Sequence, residues 1–161
     1  MDTDATDPNS ATLYFDGCCK GNPGPGGCGA IIKCNQTYSY SEYIGITTNN
    51  VAEYRGLILG LTHFKNEIKG VKYLIVKGDS MLVINQMTGK YKVKSPHLLE
   101  LYNQAIKIIG ELCDVTVLFI HIPRNENKES DHLANFTLQT LCIDRLLKQP
   151  LVSNEFLHHH S

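Results

Sequence analysis

The chain has 161 residues, 42% of them apolar and 19% charged, with a formal net charge of −1. This composition suits one globular domain with a sizeable core and excludes fibrous, low-complexity or strongly charged disordered chains. No apolar run approaches the roughly 18 residues of a membrane span, and a net charge this close to zero leaves any nucleic-acid contact to a local basic stripe.

The opening "MDTDATDPNSAT" is acidic and polar, unlike a signal or transit peptide. Residues 1–11 are expected to be a disordered leader, 12–147 one domain, and 148–161 a tail whose "LHHHS" reads as an expression-tag remnant. The six cysteines, at 18, 19, 28, 34, 113 and 142, form no CxxC pair and no Cys/His zinc pattern. Free thiols in a reducing, intracellular setting are therefore expected. Cys18 and Cys19 invite a redox reading, but neighbours on a strand point to opposite faces, so at most one of them faces a site.

The apolar run Leu13–Cys18 predicts a strand that ends at the glycine- and proline-rich "GCCKGNPGPGG". A second strand is predicted over 28–35 and a third over 37–45, joined by a hairpin-short link, so the three form an antiparallel meander. The period then changes. Tyr54, Leu57, Ile58, Leu61 and Phe64 fall at helical spacing, with Asn49 or Asn50 as N-cap. Gly56 and Gly60, one turn apart, would cost a free helix stability and suggest close packing of helix on sheet. A buried strand follows over 71–79, a short helix over 80–89, and a helix over 95–113 opened by Ser95 and Pro96. A strand over 115–122 and a helix over 127–147 complete the order βββαβααβα. Helical crossovers add the last two strands in parallel, which predicts a five-stranded mixed sheet with helices on both faces, an α/β architecture.

Four acids occupy peculiar positions. Glu53 follows Asn50 by three, as in a capping box. Asp79 can cap the helix after it, and Asp131 can favour a helix N-terminus. Asp16 has no comparable account, because Asp is depleted from strand interiors and no nearby Arg offers a partner. Four acids converging on one end of the sheet would repel unless a cation balanced them. Oxygen ligands without His or Cys select Mg²⁺ or Mn²⁺. Two such ions suit attack of water on a phosphodiester.

Four blocks in order resemble the type 1 ribonuclease H family: "YFDGCCKGNPGPGGCGAII", "TTNNVAEYRGLILGL", "VKGDSMLVINQ" and "HIPRNENKESDHLAN". The resemblance implies the ribonuclease H fold and endonucleolytic cleavage of the RNA strand of an RNA–DNA hybrid, by a monomer without a membrane partner. It implies that Asp16, Glu53, Asp79 and Asp131 hold two metal ions. It also implies hybrid contacts by Gly17, Asn22 and the backbone of the glycine loop, and by Asn49 and Asn50 in the minor groove, where 2′-hydroxyls distinguish RNA from DNA. Many bacterial members carry a basic, Trp-bearing protrusion after the third block. Here "MTGKYKVKSPHL" stands in its place and Trp is absent, and Lys90, Lys92 and Lys94 are expected to be a partial substitute. Many bacterial members also carry an auxiliary His in the loop before the fourth acid. His121 and Arg124 are the candidates, with Arg124 preferred and His121 read as the end of a strand. The alternative function is a hybrid-binding module of the same fold without catalysis, which usually loses one or more of the acids.

Overall fold

The computed structural model describes residues 7–140. Strands β1 (Ser10–Cys19), β2 (Gly24–Lys33) and β3 (Thr37–Thr47) form the expected meander, followed by helix α1 (Asn49–Glu67). Then come β4 (Tyr73–Gly78), α2 (Met81–Met87), α3 (Pro96–Gly110) and β5 (Thr116–His121). A 3-10 turn, Arg124–Glu126, leads into α4, whose described part covers 128–140. The five-stranded sheet has the order β3-β2-β1-β4-β5. β1–β2 and β2–β3 pair antiparallel, whereas β1–β4 and β4–β5 pair parallel, as helical crossovers require.

One face of the sheet carries the main core. Leu13 and Phe15 of β1 and Leu74 and Val76 of β4 pack against Tyr54, Leu57, Leu61 and Phe64 of α1. Val83, Ile84 and Met87 of α2 and Leu98 and Ala105 of α3 close that layer. The polar contact within it is satisfied: the buried Tyr54 hydroxyl donates to Gln86 Oε1 at 2.6 Å. The opposite face of β2 receives α4.

Three expectations are corrected. β1 begins at Ser10, inside the stretch expected to be a leader, because Ser10 and Ala11 pair with Tyr73 and Leu74. Most of the "glycine loop" is strand. Gly24, Pro25, Gly26 and Gly27 belong to β2 and pair with β3, leaving a short turn at Lys20–Pro23. Thr48, not Asn49 or Asn50, caps α1, its side chain accepting from the Val51 N–H. The expected helix at 141–147 and the tail at 148–161 lie outside the described residues.

Candidate metal centre and hybrid-binding groove

Strand register brings the first two acids together. Phe15 pairs in parallel with Gly78, so the next residues, Asp16 and Asp79, stand side by side at the carboxyl end of β4. Ligand sites of α/β sheets form at such strand ends. Asp79 is not spent on the helix after it, because Ser80 is the N-cap of α2 and accepts from the Val83 N–H.

Glu53 arrives from α1, which lies unusually close to β1. A Cβ on Gly17 would sit 2.1 Å from the Ala52 carbonyl carbon, and one on Gly56 would sit 2.4 Å from the Asp16 carbonyl oxygen. Real side chains do not tolerate either contact, so both glycines are needed for helix and strand to touch. The approach lets the Gly17 N–H donate to Glu53 Oε1 at 3.0 Å. Glu53 is thus no capping-box partner of Asn50; its carboxylate turns across to β1.

Asp131 arrives from α4. Asp16 pairs with Gly29 of β2, and a Cβ on Gly29 would sit 2.6 Å from Leu133 Cβ and 2.7 Å from the Ser130 carbonyl oxygen. Gly27, likewise, would drive a Cβ to 2.3 Å from the Ala134 carbonyl oxygen. α4 therefore lies directly on a glycine track beside Asp16.

Carboxylate oxygens of Asp16, Glu53 and Asp79 lie within 4.8 Å of one another. Asp131 stands outside that trio but within hydrogen-bonding reach of Asp16. Asp16 is only 5% exposed. Burial first, then the Asp79 charge beside it, raise its carboxyl to about 7 from an ordinary 3.8. Burial, followed by the Asp16 charge, pushes Glu53 well above the usual carboxylate range. Carboxyls raised in this way keep their protons unless a cation supplies the balancing charge. A divalent ion holding oxygens at about 2.1 Å spaces them up to about 4.2 Å, so small side-chain rotations turn this cluster into a ligand set. The all-oxygen donor set fits Mg²⁺ or Mn²⁺.

One residue of the site stands in the fourth block four positions before Asp131 but was given no role by the sequence reading. Asn127, just before α4, is 1% exposed. Its Nδ2 donates to the Phe15 carbonyl at 2.8 Å and to Asp79 Oδ2 at 3.0 Å. Its Oδ1 accepts from the Ser130 hydroxyl, and its carbonyl accepts from the Asp131 N–H at 3.2 Å. It ties β1, Asp79 and the start of α4 into one frame.

The other expected residues fall in two places. His121 ends β5 opposite Gly78, and its Nε2 lies 3.3 Å from the Asp79 carbonyl oxygen. Arg124 is exposed at the first position of the 3-10 turn. Asn22, Thr48, Asn49, Asn50, Ser95 and His97 line an open groove of about 650 Å³. Gly17 is not among its walls; its N–H is taken by Glu53 and its missing side chain makes room for α1. Lys90, Lys92 and Lys94 are exposed on the link that runs into Ser95, and residues 88–95 form no helix. Cys18 lies on the acid side, where burial and then Asp16 raise its thiol to about 11, so it is no thiolate nucleophile. Among the described residues, Cys18, Cys19, Cys28, Cys34 and Cys113 are free. No helix of the described residues is long and apolar enough to cross a membrane.

Comparison with known proteins agrees with this geometry. Residues 14–137 match the family described as "Reverse transcriptase-like". A bifunctional protein of Mycobacterium tuberculosis is 42% identical over 128 residues, covering 76% of this chain and 34% of that protein. The chain thus spans about a third of the length of that relative. Ribonuclease HI of a Synechocystis species is 32% identical over 149 residues, covering 81% of this chain and 88% of that protein. A ribonuclease H1 solved with an RNA/DNA hybrid superposes with a TM-score of 0.73 at 39% identity, covering 78% of this chain and 94% of that one. Sheet order and acid cluster together define a ribonuclease H fold. Within that fold, the chain belongs to the type 1 ribonuclease H family.

Proposed function

We propose that the chain is an endoribonuclease that hydrolyses the RNA strand of RNA–DNA hybrids. The observation that carries this reading is the desolvated cluster of Asp16, Glu53 and Asp79 with Asp131 beside it, on a fold shared with a hybrid-bound relative. The four acids would hold two ions, Mg²⁺ or Mn²⁺, which activate water and steady the leaving oxygen when bound. The protein's part is to hold these carboxylates at fixed positions. Parallel register fixes Asp16 against Asp79, the Gly17 N–H orients Glu53, and Asn127 orients Asp79.

Asn22, Asn49 and Asn50 would meet the hybrid in the groove beside the acids, reading minor-groove edges and 2′-hydroxyls. Gly17 supports that contact by letting α1 approach β1. Lys90, Lys92 and Lys94 would follow the phosphate backbone, in place of a basic protrusion. We assign the auxiliary role to Arg124. His121, held at the Asp79 carbonyl, serves to end its strand. The enzyme is read as an intracellular monomer.

The test is incubation with Mg²⁺ or Mn²⁺ and a labelled RNA–DNA hybrid, beside double-stranded DNA, double-stranded RNA and branched DNA. Cleavage of the hybrid's RNA strand is expected, and Asp79→Asn should reduce it at least a hundredfold. Hybrid binding without cleavage by the unaltered chain would instead establish the inactive binding module.

A further inference from the structure

We propose that the Cys19 thiol is a positioning residue for hybrid binding, fixing which side of the Asn49 carboxamide faces the groove. This rests on the ribonuclease reading above and extends it to a residue that touches neither metal nor scissile bond.

Cys18 and Cys19 end β1 with their side chains on opposite faces, as neighbours on a strand must. Cys18 turns toward the acids. Cys19 turns toward the start of α1, where its Sγ lies 3.0 Å from Asn49 Oδ1. Asn49 is the first residue of α1, directly after the N-cap Thr48. Its backbone N–H donates to Asn22 Oδ1 at 3.0 Å, so the side chain of the neighbouring turn also grips it.

The chemistry of these contacts decides the amide orientation. A carboxamide has an acceptor end and a donor end of nearly equal shape, and its rotamer is set by its partners. Cys19 is a thiol near neutrality, because burial raises it above its ordinary value. A thiol is both a weak donor and a weak acceptor, and here Cys19 meets the oxygen end of Asn49, the pairing in which it donates. The two N–H bonds of Asn49 are then turned away from β1. Asn22 is held in the same sense: its oxygen accepts from Asn49, which leaves its NH₂ to face outward. Both side chains line the same groove.

Two carboxamides presenting donors suit a surface that offers acceptors. The minor groove of a nucleic-acid duplex does so at purine N3, pyrimidine O2 and the ribose 2′-oxygen. Were the Asn49 amide free to turn over, half of its orientations would offer an oxygen to those acceptors. Cys19 removes that wrong orientation before the substrate arrives, which is preorganisation and not contact.

The experiment is steady-state cleavage of an RNA–DNA hybrid by the full chain and its variants, each checked for an unchanged thermal melt. Cys19→Ala should raise KM about three- to tenfold while kcat stays within twofold. Cys19→Ser keeps a donor at that place and should restore KM to within about twofold of the unaltered chain. In an Asn49→Ala background, Cys19→Ala should have no further effect, since the cycle isolates their coupling. A wild-type KM in Cys19→Ala overturns the proposal, as does an effect that adds fully to that of Asn49→Ala. If the unaltered chain neither binds nor cleaves hybrid, the ribonuclease reading itself falls and this inference with it. If it cleaves normally and only the Cys19 variants behave as wild type, this inference alone falls.

Discussion

At the scale of single residues, the site separates groups that act from groups that hold them. The acids were legible as a set: Asp16 lacks an ordinary explanation, and four acids meeting at one end of the sheet outweigh the helix-end explanations open to the other three, two of which the structure removes. Ser80 caps α2 in place of Asp79, and Thr48 caps α1 without Glu53. Asn127 was not legible, since an Asn ahead of a helix reads as a cap and nothing local reveals that its amide reaches 112 residues back to Phe15. Its removal should be costly in a diagnostic way. Asn127→Ala strips a donor from Asp79 Oδ2 and from the buried Phe15 carbonyl, a loss of about 1–3 kcal/mol in stability. Freed of its tether, Asp79 should bind metal less well. The Mg²⁺ concentration for half-maximal activity is expected to rise about tenfold, as for other groups that orient a metal ligand. A metal titration of activity reads this directly. An unshifted midpoint in a folded variant would mean that Asn127 serves the fold alone.

At the scale of elements, the order βββαβααβα was readable from periodicity and punctuation, because each helix and strand has its own apolar pattern. The extent of β2 was not. "GNPGPGG" reads as loop by every local rule, yet Gly24, Gly26 and Gly27 pair with β3. A Cβ on Gly24 would meet the Lys20 carbonyl oxygen and one on Gly26 the Thr47 side chain, while Gly27 and Gly29 lie against α4, a hundred residues on in sequence. Glycine serves there as absence of volume: the strand must be bare for the helix to seat Asp131 beside Asp16. Gly29→Ala should therefore push α4 outward through its clash with Leu133 Cβ and the Ser130 carbonyl. Overpacking of about 1–3 kcal/mol is expected, lowering Tm by roughly 3–10 °C, with a larger fractional loss of kcat than of stability. Gly110→Ala is the control. A Cβ there meets nothing within 4 Å, and at the end of α3 the change should be neutral or slightly stabilising. Equal melts for the two variants would show that α4 does not lean on the glycine track.

At the scale of the whole molecule, the acid cluster sets fold stability against function, and the sign of its pH dependence follows from the raised carboxyls. Asp16 sits at about 7 in the folded chain against an ordinary 3.8, and Glu53 is raised as well. A carboxyl that holds its proton more tightly when folded stabilises the fold fully below its unfolded value. That contribution is lost as pH rises through the folded value. In the metal-free chain Tm should thus fall as pH rises from about 4 to about 7, and then level off. Mg²⁺ must displace those same protons, so its stabilisation should be small at pH 5 and grow towards pH 8. At about a hundred times its dissociation constant, an ion bound only by the folded state contributes about 2.7 kcal/mol. For a domain of this size that is roughly 5–10 °C in Tm. Asp16→Asn removes one of the repelling charges. It should raise the metal-free Tm at pH 8, abolish most of the Mg²⁺ increment and eliminate cleavage. Thermal melts at pH 5 and pH 8, each with chelator and with Mg²⁺, compare all of these quantities. An increment equal at both pH values would show that the ion binds elsewhere than among the protonated acids. A metal-free Tm that rises towards pH 8 would show that the cluster does not carry this strain.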